Sequence, residues 1–284
     1  MTYFYFGIHK AATTWLIELL QDICNDLNLN HRHYHSSQLF NQDITEEIRN
    51  NNIDFFSYTN SDYSFVEPLE MEYKGFHVIR DPRDIVVSSY FSHMNSHSTE
   101  MWPELVEYRN ELKALDLSEG IFATIKHLEK LSVDGEIIPM FKNLQNWNYS
   151  NENILEIRFE DLIKSPYIIM PKVFEYLDLI DSGNHKIKEG TKRSFLKRLN
   201  NPSSTENSEC DKIRLEMLLL KIYQHDFYFK TKGRSKGVDD AKSHYRKGLE
   251  GDWKNYFNTN HISYFKENYG ELLIDLNYEN DLDW

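Results

Sequence analysis

Tyr3-Phe4-Tyr5-Phe6-Gly7-Ile8-His9-Lys10-Ala11-Ala12-Thr13-Thr14-Trp15-Leu16 holds a core strand, a short turn and the start of a helix. Its first four residues are bulky and aromatic, suited to a pleated, buried sheet, and Gly7 then permits torsions that other residues resist. Trp15, Leu16, Leu19, Leu20 and Ile23 share one face of a 3.6-residue period, so a helix opens near Thr13. The N–H groups of its first turn lack intrahelical partners and attract phosphate oxygens. Lys10 adds a full charge, and Thr13 and Thr14 add hydroxyl donors, where the helix dipole is also positive. Taken alone, the stretch also fits a plain turn with a surface lysine and a Thr cap. The nucleotide-kinase pattern G-x-x-x-x-G-K-[ST] is not met, because Lys10 precedes the threonine pair by three positions without a second flanking glycine. That disfavours an ordinary ATP site.

The design recurs in Phe76-His77-Val78-Ile79-Arg80-Asp81-Pro82-Arg83-Asp84-Ile85-Val86-Val87-Ser88-Ser89-Tyr90-Phe91. A short apolar strand ends at Arg80, Asp81 is placed to cap, and Pro82 suits the first helical position. Arg80 at the strand end and Ser88 two turns into the helix offer a guanidinium fork and a hydroxyl to one more phosphate. The competing reading pairs Arg80 structurally with Asp84. A third run, Tyr245-Arg246-Lys247-Gly248-Leu249-Glu250-Gly251-Asp252-Trp253-Lys254-Asn255, puts two adjacent cations before a glycine, either closing over an anionic ligand or forming a basic surface turn.

Together, the three runs resemble the PAPS-dependent sulfotransferases, over most of the chain. Lys10-Ala11-Ala12-Thr13-Thr14-Trp15 is similar to the family's K-S-G-T-T-W loop for the 5′-phosphosulfate, and Arg80-Asp81-Pro82-Arg83-Asp84 with Ser88 to its 3′-phosphate motif. Arg246-Lys247-Gly248 with Gly251-Asp252-Trp253-Lys254-Asn255 is similar to its R-K-G-x-x-G-D-W-K-N closure. Ser194-Phe195 followed by Asn201-Pro202 looks like the segment that lays an aromatic ring on adenine, and Phe159-Glu160-Asp161-Leu162 like its Y-E-D-L stretch. The resemblance implies a three-layer α/β/α fold, P-loop-like, with a central parallel sheet and the ligand beyond the strands' carboxyl ends. It also implies transfer of a sulfuryl group from PAPS to a hydroxyl or amine, releasing PAP. Lys10 would stabilise the departing 5′-phosphate, with Ala11, Ala12, Thr13 and Thr14 lining the turn around it. Arg80, Ser88, Arg246, Lys247 and Gly248 would hold the 3′-phosphate, and Trp15 and Phe195 the adenine.

The departures open the question of the general base. Ala11 and Ala12 stand where the family has Ser and Gly, and Phe159 replaces a tyrosine. The cytosolic enzymes carry a catalytic histidine in a K-T-H strand end, whereas Phe55 to Tyr63 contains none. Histidine and then a buried carboxylate suit proton removal near neutral pH, which leaves His93, Asp62 and His9 as candidates. His93 and His97 stand at i, i+4, but no third ligand is evident and no metal is expected.

The 284 residues, 40% hydrophobic and 14% aromatic, fit one domain over 1–284, with 94–150 too long for a simple crossover and read as an acceptor-pocket cap. The formal charge of −13 argues against nucleic acid and polyanionic acceptors. A small molecule is expected, with a bacterial natural product, including a cationic alkaloid toxin, as one candidate. Met1 leads directly into the first strand, no run of about 18 apolar residues occurs, and two cysteines give no disulfide framework. The expectation is a cytoplasmic protein that does not engage a membrane. The family's dimer signature K-x-x-x-T-V-x-x-x-E fails after Lys254, so any homodimer forms otherwise. A PAP- or PAPS-binding protein without catalysis and a nucleotide-dependent small-molecule kinase are the alternatives.

Overall fold

The computed structural model describes residues 1–100, 102–181 and 212–284. Five strands, β1 (Thr2–Gly7), β2 (His31–Tyr34), β3 (Phe55–Thr59), β4 (Tyr73–Ile79) and β7 (Ile154–Arg158), form a wholly parallel sheet in the order β2-β3-β1-β4-β7. A small antiparallel hairpin, β5 (Leu131–Val133) with β6 (Glu136–Ile138), stands apart from it. Parallel strands are buried on both faces, and the side-chain alternation along β1 shows why this sequence complies. Phe4 and Phe6 join Phe56, Tyr58 and Tyr34 in one apolar cluster, while Tyr5 joins Phe55, Phe76 and Val78 in the other.

Helices α1 (Thr13–Asp26) and α3 (Pro82–Phe91) cover the second cluster through Leu16, Leu19, Leu20, Ile85 and Val86. Helix α2 (Ile44–Asn51) covers the first through Ile44 and Ile48. The result is the expected α/β/α layering. Gly7 is a correction: its backbone is ordinary extended strand, and a Cβ there would meet the Tyr5 hydroxyl at 2.7 Å and Thr13 Cγ2 at 3.1 Å. Close approach, not torsional freedom, requires the glycine. The left-handed residues of the turn are Lys10 (φ 62°) and Ala12 (φ 63°).

After α3 the chain makes a π-helical turn over Ser92–Ser96 and enters α4 (Leu105–Ala114), α5 (Leu117–Leu128), the hairpin and α6 (Met140–Asn146). This region lies across α3, with Gly120 so close to the Tyr90 ring that a Cβ would come within 2.6 Å of it. Helices α7 (Phe159–Lys164) and α8 (Pro166–Tyr176) follow β7, and a final helix spans Thr259–Asp275. No helix among the described residues is long and apolar enough to cross a membrane.

Candidate functional site

The chain leaves β1 for strands on one side and returns as β4 on the other, so the switch in strand order falls between β1 and β4. Ligands of open parallel sheets lie beyond the carboxyl ends at such a switch. The turns after these two strands carry Lys10 and Arg80, and the Arg80 Nη1 donates to the Lys10 carbonyl at 2.7 Å.

A cleft of about 710 Å³ opens there, lined among others by Lys10, Ala12, Thr13, Thr14, Trp15, Arg80, Ser88, Phe159, Arg246, Lys247 and Gly248. The three runs read from the sequence therefore meet at one cavity. Ala11 lies buried behind the turn, and Trp15 both touches the cleft and packs into the core. Phe195 lies outside the described residues, as does the polar stretch from Asn200 to Asp211.

The helix that opens the cleft is left uncapped. Ala12 is the N-cap of α1, no side chain accepts from its first turn, and that turn holds no acidic residue. Lys10 is half-buried, and burial, with Arg80 and Arg246 adding to it, pulls its ammonium down to about 7. Arg80 rests its guanidinium 4.1 Å above the Phe159 ring, and its buried Nε has no hydrogen-bond partner. Arg80 makes no ion pair with Asp84. The buried Asp84 instead accepts from the backbone N–H of Gly251 at 2.6 Å and of Trp253 at 2.9 Å, fastening the closing segment to α3.

Arg246 and Lys247 are held from behind. The buried Asp252 carboxylate pairs with both, at 2.5 Å to Lys247, and Asp239 takes the other Arg246 nitrogen at 2.6 Å. Although burial opposes it, Lys247, Arg246 and Asn255 hold the Asp252 carboxyl below its usual range. The Lys230–Gly237 stretch is tied in. Arg234 donates to the carbonyls of Val238, Tyr245 and Arg246, and Lys236 donates to that of Ile163.

Beside Lys10 the structure assembles a histidine cluster. Nε2 of His9 and Nε2 of His93 lie 2.9 Å apart. The rings of His97 and Trp102 lie within 6.3 Å of both, and His127 stands 5.7 Å from His93, ring centre to ring centre. His244, on the cleft wall, is 6.0 Å from His97. Burial first, then neighbouring cations, hold His9 and His93 well below the ordinary imidazole value, and burial brings His97 and His127 to about 4. Sequence spacing reveals only the His93–His97 pair; the other members converge through tertiary packing. Asp62 stays outside this group. Its carboxylate accepts from the Ser64 N–H at 2.9 Å and caps a short turn after β3, and it lines no part of the cleft. Among the described residues no group of three His, Cys, Asp or Glu side chains has the arrangement of a metal site.

A sequence model of the sulfotransferase domain matches residues 3–277. The crystal structure of mouse sulfotransferase SULT7A1 complexed with PAP superposes with a TM-score of 0.56 at 16% identity, over 96% of this chain and 84% of that one. Retinol dehydratase, solved with androsterone and the inactive cofactor PAP, gives a TM-score of 0.51 at 15% identity, over 96% of this chain and 81% of that one. At such identities the likeness concerns the fold. No curated protein sequence matches the chain. A match to the sulfotransferase domain over nearly the whole chain, on a parallel sheet of the same fold, means that the chain belongs to the sulfotransferase family.

Proposed function

We propose that the chain moves a sulfuryl group from PAPS to a hydroxyl or amine of a small molecule. The observation that carries this reading is the convergence of Lys10, Arg80, Arg246 and Lys247 on one cleft at the strand switch. The residues present fit a bisphosphorylated adenosine. The buried Arg80 Nε has no partner within the protein, and an unpaired donor of that kind is costly unless a ligand meets it. The uncapped N-terminus of α1 offers free N–H groups to an anion.

PAPS supplies an activated sulfuryl group on a phosphate leaving group. Lys10, with the Thr13 and Thr14 hydroxyls and the first-turn N–H groups, would steady the charge that grows on the 5′-phosphate. Arg80, Ser88, Arg246, Lys247 and Gly248 would grip the 3′-phosphate, and Trp15 would lie against adenine. Lys10 would bring positive charge to the leaving phosphate, so the reading calls for no metal. The base would come from the His9–His93 pair, not from Asp62, which is engaged in its own turn.

The whole chain would act as one domain, with residues 94–150 as the cap over the acceptor. The groups that act on Lys10, His9, His93 and His97 are cations and imidazoles. The Arg80 and Arg246 charges beside Lys10 favour a neutral or anionic acceptor over a cationic alkaloid, and a bacterial natural product with a free hydroxyl fits them. Calorimetry with PAP and ADP, followed by mass-detected sulfuryl transfer over an acceptor panel, tests the reading. Tight PAP binding with transfer is the expected result. PAP binding without transfer to any acceptor would indicate a non-catalytic binding protein, and a preference for ADP would indicate a kinase.

A further inference from the structure

The His9–His93 contact obeys a proton count that neither ring satisfies alone. Two imidazole Nε2 atoms 2.9 Å apart need one proton between them, one ring donating and the other accepting. The two rings are unequal. His93 is fully buried in the π-helical turn after α3, and its carbonyl accepts from Arg109 Nε at 2.6 Å, while the second Arg109 nitrogen donates to the His97 carbonyl at 2.6 Å. His9 is half-buried and directly precedes Lys10, which lines the cleft.

We infer that His9 and His93 act as one base, in which His9 meets the acceptor through Nδ1 and His93 is a positioning residue that fixes the proton of His9 on Nε2. The inference rests on the sulfotransferase reading above. The surroundings of His93 bear on the tautomer. Its Nδ1 is buried without a hydrogen-bond partner, and the rings of Trp102, Tyr108 and His127 stand at 82°, 75° and 78° to it, with centres 5.1, 5.9 and 5.7 Å away. Rings standing across it at such angles can turn a π face, a weak acceptor, toward an N–H. With its proton on Nδ1, His93 presents a lone pair at Nε2. His9 must then donate from Nε2 and keep its Nδ1 lone pair free.

In the transfer step the acceptor O–H bond breaks and its proton goes to Nδ1 of His9. The acceptor oxygen bonds to sulfur, and the bond from sulfur to the bridging phosphate oxygen breaks with its electron pair leaving on PAP. The pair then carries one added charge, shared along the Nε2···Nε2 bridge. The groups facing it are Lys10 from the first turn, His97 from the end of the π-helical turn, His127 from α5, and His244 beyond His97 on the closing segment. All are basic, so the pair takes up only one proton and releases it readily.

The test uses the full chain with histidine nitrogens labelled and PAP added, read by long-range ¹H–¹⁵N spectra assigned with His9→Gln and His93→Gln. The expected pattern is a free lone pair on Nδ1 of His9 and a proton on Nδ1 of His93; a proton on Nδ1 of His9 overturns the inference. Turnover of PAPS with 4-nitrophenol as the probe acceptor gives the second arm. His93→Leu should lower kcat by about 100-fold with the KM for PAPS unchanged, and His93→Gln, whose amide oxygen can still accept from His9, should recover about tenfold of that. Equal kcat for both variants and the parent overturns the inference. Calorimetry keeps the two failures apart: loss of PAP binding by the parent chain sinks the sulfotransferase reading, whereas normal PAP binding with the wrong tautomer sinks only the pair.

Discussion

The two turns that lead from strand to helix at the centre of the sheet share a plan and differ in one respect. The turn into α3 supplies its own anion: Asp81 accepts from the Arg83 N–H at 2.9 Å, Pro82 removes one donor, and Asp84 sits in the first turn. The turn into α1 supplies none, and places an alanine in a left-handed conformation at the cap. A helix start that caps itself is finished when the chain folds. One left open, beside a lysine whose charge burial has weakened, is completed by a ligand that brings negative charge. In the proposed reading α1 would be the receiving end and Arg80, at the α3 turn, an arm reaching across to it.

Removing the lysine from the open turn should have the largest effect. Lys10→Ala is expected to lower kcat by about 10²–10³-fold with a much smaller change in PAP affinity, measured by steady-state kinetics and calorimetry, because the charge matters most as the leaving group develops. Losing the arm should act on binding instead. Arg80→Ala is expected to weaken PAP by roughly 10–100-fold, the range for a charge-assisted hydrogen bond, and to leave the turnover of saturated enzyme less affected.

The pH dependence should show which turn takes up a proton. Lys10 in the free protein titrates near 7, below the ordinary lysine value. An anion binds its protonated form better, so PAP affinity is fully present below pH 7 and falls as pH rises toward the higher pKa of the complex. The expected total loss above pH 7 is of the same small size as the change in PAP affinity caused by Lys10→Ala, about a few-fold, with proton uptake visible by calorimetry at pH 8 in buffers of different ionisation enthalpy. A flat profile would remove Lys10 from the anion contact. The smallest effect belongs to the strained cap: Ala12→Gly should raise stability by roughly 0.5–1 kcal/mol, since relief of a left-handed alanine outweighs the added chain entropy. Thermal denaturation measures it.

The sheet and both turns were legible because each is local. Aromatic alternation marks β1, and Asp-Pro marks the start of α3. Cleft residues scattered through the chain were legible only through the family resemblance, which placed Lys10, Arg80 and Arg246 together before any contact was visible. What stayed hidden depends on packing. Asp84 spans 167 residues to reach Gly251, and His9 spans 84 to reach His93, and no spacing rule encodes either contact. Gly7 misled for the same reason, and the placement of Asp62 in its own turn was equally unreadable. A glycine looks like a hinge and a carboxylate like a base until the neighbouring side chains are known.

The π-helical turn over Ser92–Ser96 amounts to one extra residue in the register of α3. Its heritable consequence is a fragile spacing: an in-frame loss of one codon there would restore ordinary winding at no cost to the helix, yet swing every later side chain by about 100° around the axis. His97 would leave its neighbours, and the Arg109 fork would lose one of its two carbonyls. Apart from His93, substitutions can drift through this segment, but changes in its length cannot.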